Sequence, residues 1–189
     1  MGGTIDIVCN LYTPREVRLG QTGIDDTFKK QIRMSAQMRK GTTIIQYLKK
    51  MDAAGIEHSL LIAVRAGDLR VKGSFEIPYK RVYDICRKYP DRFSGLAGVD
   101  PTLGVEQLYD LDQAVEEYGF VGAHFYPHWF DMRPDAAQVY PIYARCVEHD
   151  IPIMMQVGHN LIYQRDRRLP SVGRPIYLDR VAIDFPDLR

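Results

Sequence analysis

This sequence predicts an α/β fold, built as part of a (β/α)8 TIM barrel, and three observations carry that prediction. Apolar runs alternate with amphipathic helical stretches at intervals of roughly 30 residues, the grammar of parallel β/α units. Polar residues, histidines among them, follow the apolar runs. The units also stop early: about five fit into the 189 residues, whereas an eight-fold barrel needs on the order of 250. The expectation is a single incomplete barrel domain over residues 1–189, equivalent to its first five-eighths, with strands six to eight missing.

Each unit has its own justification. Ile5, Ile7 and Cys9 alternate with Asp6, Val8 and Asn10 and predict a short first strand over Thr4–Cys9. Residues 11–41 carry Pro14, Gly20, Gly23 and Gly41, with one helix expected at Asp26–Arg39. Connections this long inside a compact domain usually serve a function or stay irregular. In a barrel this insertion would leave the C-terminal end of the first strand, either as a lid or as a surface excursion. A helix at Thr43–Ala54 leads through Gly55 into a strand at His58–Val64. Ser74–Tyr89 leads through Pro90 into Phe93–Val99, and Val105–Tyr118 through Gly119 into Phe120–Tyr126. Ala136–His149 leads through Asp150 into Ile151–Val157, and a closing helix lies near Ile176–Asp187. Ile44, Leu48 and Met51 fall at helical spacing, as do Leu108, Leu111 and Val115; such stripes are core faces. Gly55 and Gly119 sit just past helix ends, where a left-handed residue is favoured.

Composition narrows the function classes. Apolar content of 46% and charged content of 26% are those of an ordinary globular domain. A net charge of +1 makes no electrostatic case for nucleic acid or a membrane surface. No apolar run approaches the roughly 20 residues of a membrane span, and the first residues do not read as a signal peptide. Cys9, Cys86 and Cys146 are scattered without CxxC spacing, which reads as reduced thiols and a cytoplasmic location. Arg165, Arg167 and Arg168 form a dense basic cluster, either a solvated loop or an anion site. The partner expected is a small-molecule substrate. Five strands would leave two unpaired edges, so a homo-oligomer is expected as well.

In parallel barrels the residues that end the strands converge on one mouth, which carries the site. Those ends offer Asn10 beside Val8, then Arg65, then Asp100. The fourth strand offers His124, Tyr126 and His128, and the fifth offers Gln156 and His159. His58 and His149 precede strands and belong to the opposite rim. Imidazole titrates near neutral pH, so His124 and His159 are the candidate acid–base groups, with His128 beside them. Arg65 could hold a carboxylate or phosphate bidentately. Asp100 opens an Asp-Pro-Thr turn and either caps it or faces substrate. Tyr126 shares a strand face with His124 and either orients a substrate oxygen or walls the pocket.

Several phrases resemble one family. Ile5-Asp6-Ile7, Met51-Asp52-Ala53-Ala54-Gly55-Ile56 and the run Pro90 to Pro101 are similar to the amidohydrolase-related family of aminocarboxymuconate semialdehyde decarboxylase. So are Gly119-Phe120-Val121-Gly122-Ala123-His124 and the closing Asp184-Phe185-Pro186-Asp187-Leu188. The resemblance implies a metal-dependent barrel enzyme, usually with zinc or another divalent ion. It also implies Asp-x-His-x-His on the first strand, where this chain has Asp6-Ile7-Val8-Cys9-Asn10. Valine cannot ligate, and an Asn oxygen suits hard cations better than zinc. The fifth-strand ligand position, four residues after Pro152, is Gln156. The expectation is therefore no metal ligand and no confident cofactor.

What the resemblance implies about activity stays divided. One reading is a His-assisted hydrolase of a carboxylated or aromatic-derived metabolite without the usual zinc site, extending to the branch that cleaves 4-hydroxyphenyl-β-ketoacyl-CoA. A carboxy-lyase is the second reading. The third is a truncated, non-catalytic fragment or binding module, inactive as it stands.

Overall fold

The computed structural model of the protein describes residues 3–158 and 170–189. Its first part runs β1 (Thr4–Asn10), α1 (Pro14–Leu19), α2 (Asp26–Gln31), α3 (Ala36–Arg39), α4 (Ile44–Ala54), β2 (Ile56–Ala63), β3 (Arg65–Ala66) and β4 (Phe75–Glu76). Then follow α5 (Tyr79–Lys88), β5 (Phe93–Gly98), α6 (Val105–Glu116), β6 (Gly122–Phe125), α7 (Tyr140–Glu148), β7 (Ile153–Met155) and α8 (Leu178–Asp184). Five strands pair in parallel in the order β1-β2-β5-β6-β7, an open portion of a barrel with helices on its outer face. The fold predicted from the sequence is the fold observed.

Local chemistry explains the units. Thr43 caps α4 through the amide of Gln46, whose side chain accepts from Thr43 N, and Gly55 closes the helix at φ 68°. That reciprocal arrangement satisfies two otherwise orphaned donors. In β2 the run Leu61, Ile62 and Ala63 is buried, as is Val64 just after it, as expected for a strand covered on both faces. Met51 of α4, Val82 and Ile85 of α5, Leu111 and Ala114 of α6, and Ile142, Tyr143 and Cys146 of α7 complete the layer beneath the helices. Burying a large apolar side chain is worth about 1.5–3 kcal/mol. β1 and β7 are the sheet's edge strands, and Ile5, Ile7 and Val8 of β1 are exposed.

Several expected element bounds need correction. The helix expected over Ser74–Tyr89 begins only at Tyr79, because Phe75 and Glu76 pair antiparallel with Ala66 and Arg65. Pro78 then holds an extended backbone (φ −56°, ψ 141°) immediately before the helix, a conformation its ring favours. The single helix expected at Asp26–Arg39 is two helices, capped by Asp25 and Ser35 and separated by Arg33 at φ 50°. The closing helix is shorter than Ile176–Asp187, since Pro175–Tyr177 forms a 3-10 turn before it. The helix expected to begin at Ala136 starts at Tyr140. The fourth and fifth strands are shorter than expected, ending at Phe125 and Met155.

The 11–41 segment is anchored rather than loose. Glu16 is fully buried, bonded to the Thr13 hydroxyl and paired with Arg15 at 2.9 Å and with Arg81 of α5 at 3.0 Å. Burial opposes its charge, but the bonds from Thr13, Arg81 and Arg15 outweigh that and hold its carboxyl below the usual range. At Gly23 (φ 59°) an added Cβ would lie 2.4 Å from the Phe75 ring, so only glycine lets the segment sit this close.

Candidate active site

The C-terminal ends of the strands form a mouth, and register places its central group. His124 lies level with Gly98 on β5 and Met154 on β7, so neighbouring strands hold its backbone on both sides. Its carbonyl accepts from Val99 N at 2.9 Å. The ring is 3% exposed and meets the Tyr126 ring edge-on at 4.1 Å. His128 follows on a 3-10 turn, Pro127–Trp129, with its ring centroid 6.0 Å from that of Tyr126. Tyr126 Oη donates to Asn10 Oδ1 at 3.2 Å, tying the end of β6 to the end of β1. Burial raises the Tyr126 phenol above its ordinary pKa.

These side chains line a cavity of about 330 Å³. Asn10, His124, Tyr126, His128 and Gln156 all reach it. Gln21 and Thr22 also line it, and the rest of the wall is mainly apolar and aromatic: Val8, Phe28, Phe75, Ile77, Trp129 and Met155 among others. Among the described residues no Asp, Glu, Lys or Arg lines it. Burial, with the neighbouring His128 adding repulsion, pushes the His124 pKa down to about 3. The imidazole is therefore neutral at physiological pH. Its Nδ1 is buried with no hydrogen-bond partner among the described residues. A buried polar atom left unpaired costs about 1–3 kcal/mol, so this atom is poised for something that enters the cavity.

Arg65 and Asp100 lie elsewhere. Arg65 donates to Gln107 Oε1 at 2.8 Å and Asp110 Oδ2 at 2.7 Å, and lies over the Tyr79 ring at 4.7 Å. Its guanidinium fork is thus committed to α6. Asp100 Oδ1 accepts from Thr102 N and Oγ1, capping the turn, while Asp100 N donates to the same Gln107 oxygen at 2.6 Å. Both residues line a separate hollow of about 310 Å³ with Asp68, Arg70 and Glu106. His159 falls outside the described residues, as does the Arg165–Arg168 cluster. His58 bonds Asp91 O and Ser94 Oγ, and His149 bonds Asp112, consistent with a structural role at the opposite rim.

A divalent metal of the kind the resemblance implies does not fit this donor set. Val8 has no donor atom, and Asn10 Oδ1 already accepts from Tyr126. His124 and His128 are two imidazoles with no carboxylate lining the same cavity among the described residues. No group of three or more His, Cys, Asp or Glu able to hold a metal occurs among the described residues. A catalytic zinc takes three protein ligands.

Sequence reading missed the cavity's outer wall. Gln21, Thr22, Gly23, Ile24 and Phe28 come from the 11–41 segment, Phe75 from β4 and Trp129 from the turn after β6. The bulky run Pro127-His128-Trp129-Phe130 after a strand end was the available signal for Trp129; Gln21 had none.

A family model described as amidohydrolase matches residues 38–189. The solved structure of an uncharacterized TIM-barrel protein from Bordetella bronchiseptica is 23% identical with a TM-score of 0.72, covering 98% of this chain and 64% of that one. For 2,6-dihydroxybenzoate decarboxylase from Rhizobium the identity is 22% and the TM-score 0.65, covering 100% of this chain and 65% of that one. For 4-oxalomesaconate hydratase from Rhodopseudomonas palustris they are 24% and 0.65, covering 98% and 61%. The chain spans less than two thirds of the length of each of these structures. No curated protein matches it at the same stringency. None of the described helices is long and apolar enough to cross a membrane.

Proposed function

Since the chain belongs to the amidohydrolase family, we propose that its His124 cavity is the substrate site of a hydrolase acting on a carboxylated, aromatic-derived metabolite. The observation that carries the reading is His124 itself, buried, neutral and with Nδ1 unpartnered among the described residues, inside an aromatic-walled cavity. A group with a pKa of about 3 is by itself a poor base. An anionic substrate beside it changes that, because a neighbouring negative charge favours the imidazolium. The substrate's carboxylate would thus prepare His124 to take the proton of an attacking water, while Tyr126 and Asn10 hold the β1–β6 side of the mouth. The carbonyl carbon gains the hydroxyl oxygen, His124 gains the proton, and the leaving group recovers that proton as it departs.

One observation favours a second reading, decarboxylation. The described wall offers no cation to a carboxylate, and a carboxylate stripped of water is destabilised relative to the neutral carbon dioxide it would release. The Rhizobium structure of similar fold is named as a dihydroxybenzoate decarboxylase.

One experiment separates the readings. The protein is incubated with a panel of hydroxybenzoic acids and aryl β-ketoacyl thioesters, with thiol release and carbon dioxide release followed in parallel. Thiol release that is lost in His124→Asn supports hydrolysis. Carbon dioxide release lost in the same variant supports the carboxy-lyase. Turnover unaffected by the substitution overturns the assignment of His124 under both.

A further inference from the structure

A second buried polar atom in the same cavity is unused by that chemistry. Gln21, from the segment joining β1 to α4, lines the cavity, and its side-chain oxygen is buried with no hydrogen-bond partner among the described residues. The segment is held in place at both ends of this stretch: Glu16 is paired with Arg81, and Gly23 lies directly against Phe75 and Trp129. Gln21 is therefore a positioned acceptor and not a stray surface side chain. The surface it shares with Phe28, Phe75 and Trp129 is aromatic, and Phe75 and Trp129 pack edge-on at 5.4 Å to fix that wall. From these placements we infer that Gln21 is a specificity-determining residue, whose carbonyl oxygen accepts a hydrogen bond from a donor on the ring of the bound molecule, a phenolic hydroxyl being the group that fits. The inference rests on the reading of the cavity as an aromatic substrate site and adds which ring substituent that site selects.

The chemistry behind the choice is asymmetric. A ring hydroxyl satisfies the orphaned acceptor, whereas an ether or an unsubstituted ring leaves it buried and unpaired. A site built around such an acceptor rejects the analogue that lacks the donor.

Phenol and anisole test it, since they share the ring and differ in the donor. Binding to the protein is measured by calorimetry or by NMR titration. The native protein should bind phenol about tenfold more tightly than anisole, the scale of one hydrogen bond to an otherwise unpaired group. In Gln21→Met, which keeps length but removes the acceptor, the two affinities should become equal, with anisole binding unchanged. Gln21→Glu, which keeps an acceptor, should retain the preference, and so should His124→Asn, because the selecting acceptor is at the other wall. Equal affinity for phenol and anisole in the native protein overturns the role of Gln21 and leaves the aromatic-site reading standing. A preference that survives Gln21→Met but vanishes in His124→Asn moves the selecting acceptor to His124 and also overturns it. Binding of neither probe removes the aromatic-site reading, and this inference falls with it.

Discussion

Two hollows of nearly equal size open at the strand ends, about 330 Å³ around His124 and about 310 Å³ around Arg65 and Asp100. They differ in how their polar groups are spent. Around Arg65 three charged groups already have partners within the protein: the guanidinium on Gln107 and Asp110, the Asp100 carboxylate on its own turn, and the Arg70 guanidinium on Asp68. Around His124 two buried polar atoms, His124 Nδ1 and the Gln21 oxygen, have none among the described residues. Position at the mouth of a barrel is therefore not enough to nominate a site. Side chains that satisfy one another hold the fold, and those left unsatisfied at a cost are available to a ligand.

The largest effect that distinguishes the two hollows should come from His124. Loss of a proton-transfer group typically costs two to four orders of magnitude in rate, so His124→Asn should nearly abolish turnover while circular dichroism stays native. His149→Asn, at the opposite rim, should leave turnover close to native. Equal losses in both variants would erase the contrast between the rims.

Arg65→Met should show the reverse pattern. It removes two charge-assisted hydrogen bonds and the stacking on Tyr79, each such bond being among the stronger ones in a protein. The expected cost is about 2–3 kcal/mol in urea unfolding, with turnover per folded molecule retained. A selective loss of activity at unchanged stability would restore Arg65 as an anion-binding group.

How much of this was legible follows the same division. Helix α4 could be read from the spacing of Ile44, Leu48 and Met51 and from Gly55 at its end because helical periodicity and termination are local, and the buried runs of β2 and β5 announced themselves by length and composition. His124 could be placed because a strand's alternation fixes which face a residue takes. What failed was non-local. Nothing in Ser74–Pro78 signals that Phe75 and Glu76 will meet Ala66 and Arg65. Likewise the fate of Arg65 depended on Gln107 and Asp110, some forty residues onward and visible only once α6 is docked. Gln21 sits in a stretch without periodicity, and its burial is a property of the packed segment alone.

A third contrast lies in acid stability. The His124 pKa is pushed from 6.5 to about 3 in the folded protein. Between those values the unfolded chain binds a proton that the folded one refuses, so stability is complete above pH 6.5 and declines as pH falls toward 3. Urea midpoints measured across that window should fall more steeply for the native protein than for His124→Asn. Parallel profiles would mean that His124 is hydrated and titrates normally.

The smallest effect should belong to Tyr126→Phe, and it tests whether the two sides of the His124 cavity are coupled. The lost hydroxyl donates to Asn10 Oδ1 across the gap from β6 to the edge strand β1. The ring itself, which supports His124 edge-on at 4.1 Å, is retained. A single neutral hydrogen bond contributes about 0.5–1.5 kcal/mol net, and Asn10 is exposed enough for water to replace its partner. Global stability should therefore drop by less than about 1 kcal/mol. The local effect should be larger: amide exchange at the end of β1, around Val8 to Asn10, should accelerate while β5 remains protected, because the edge strand has a partner on one side only. If turnover falls with it, Tyr126 orients substrate and does more than brace the mouth; if exchange along β1 is unchanged, the Tyr126–Asn10 bond is not what holds the two walls together.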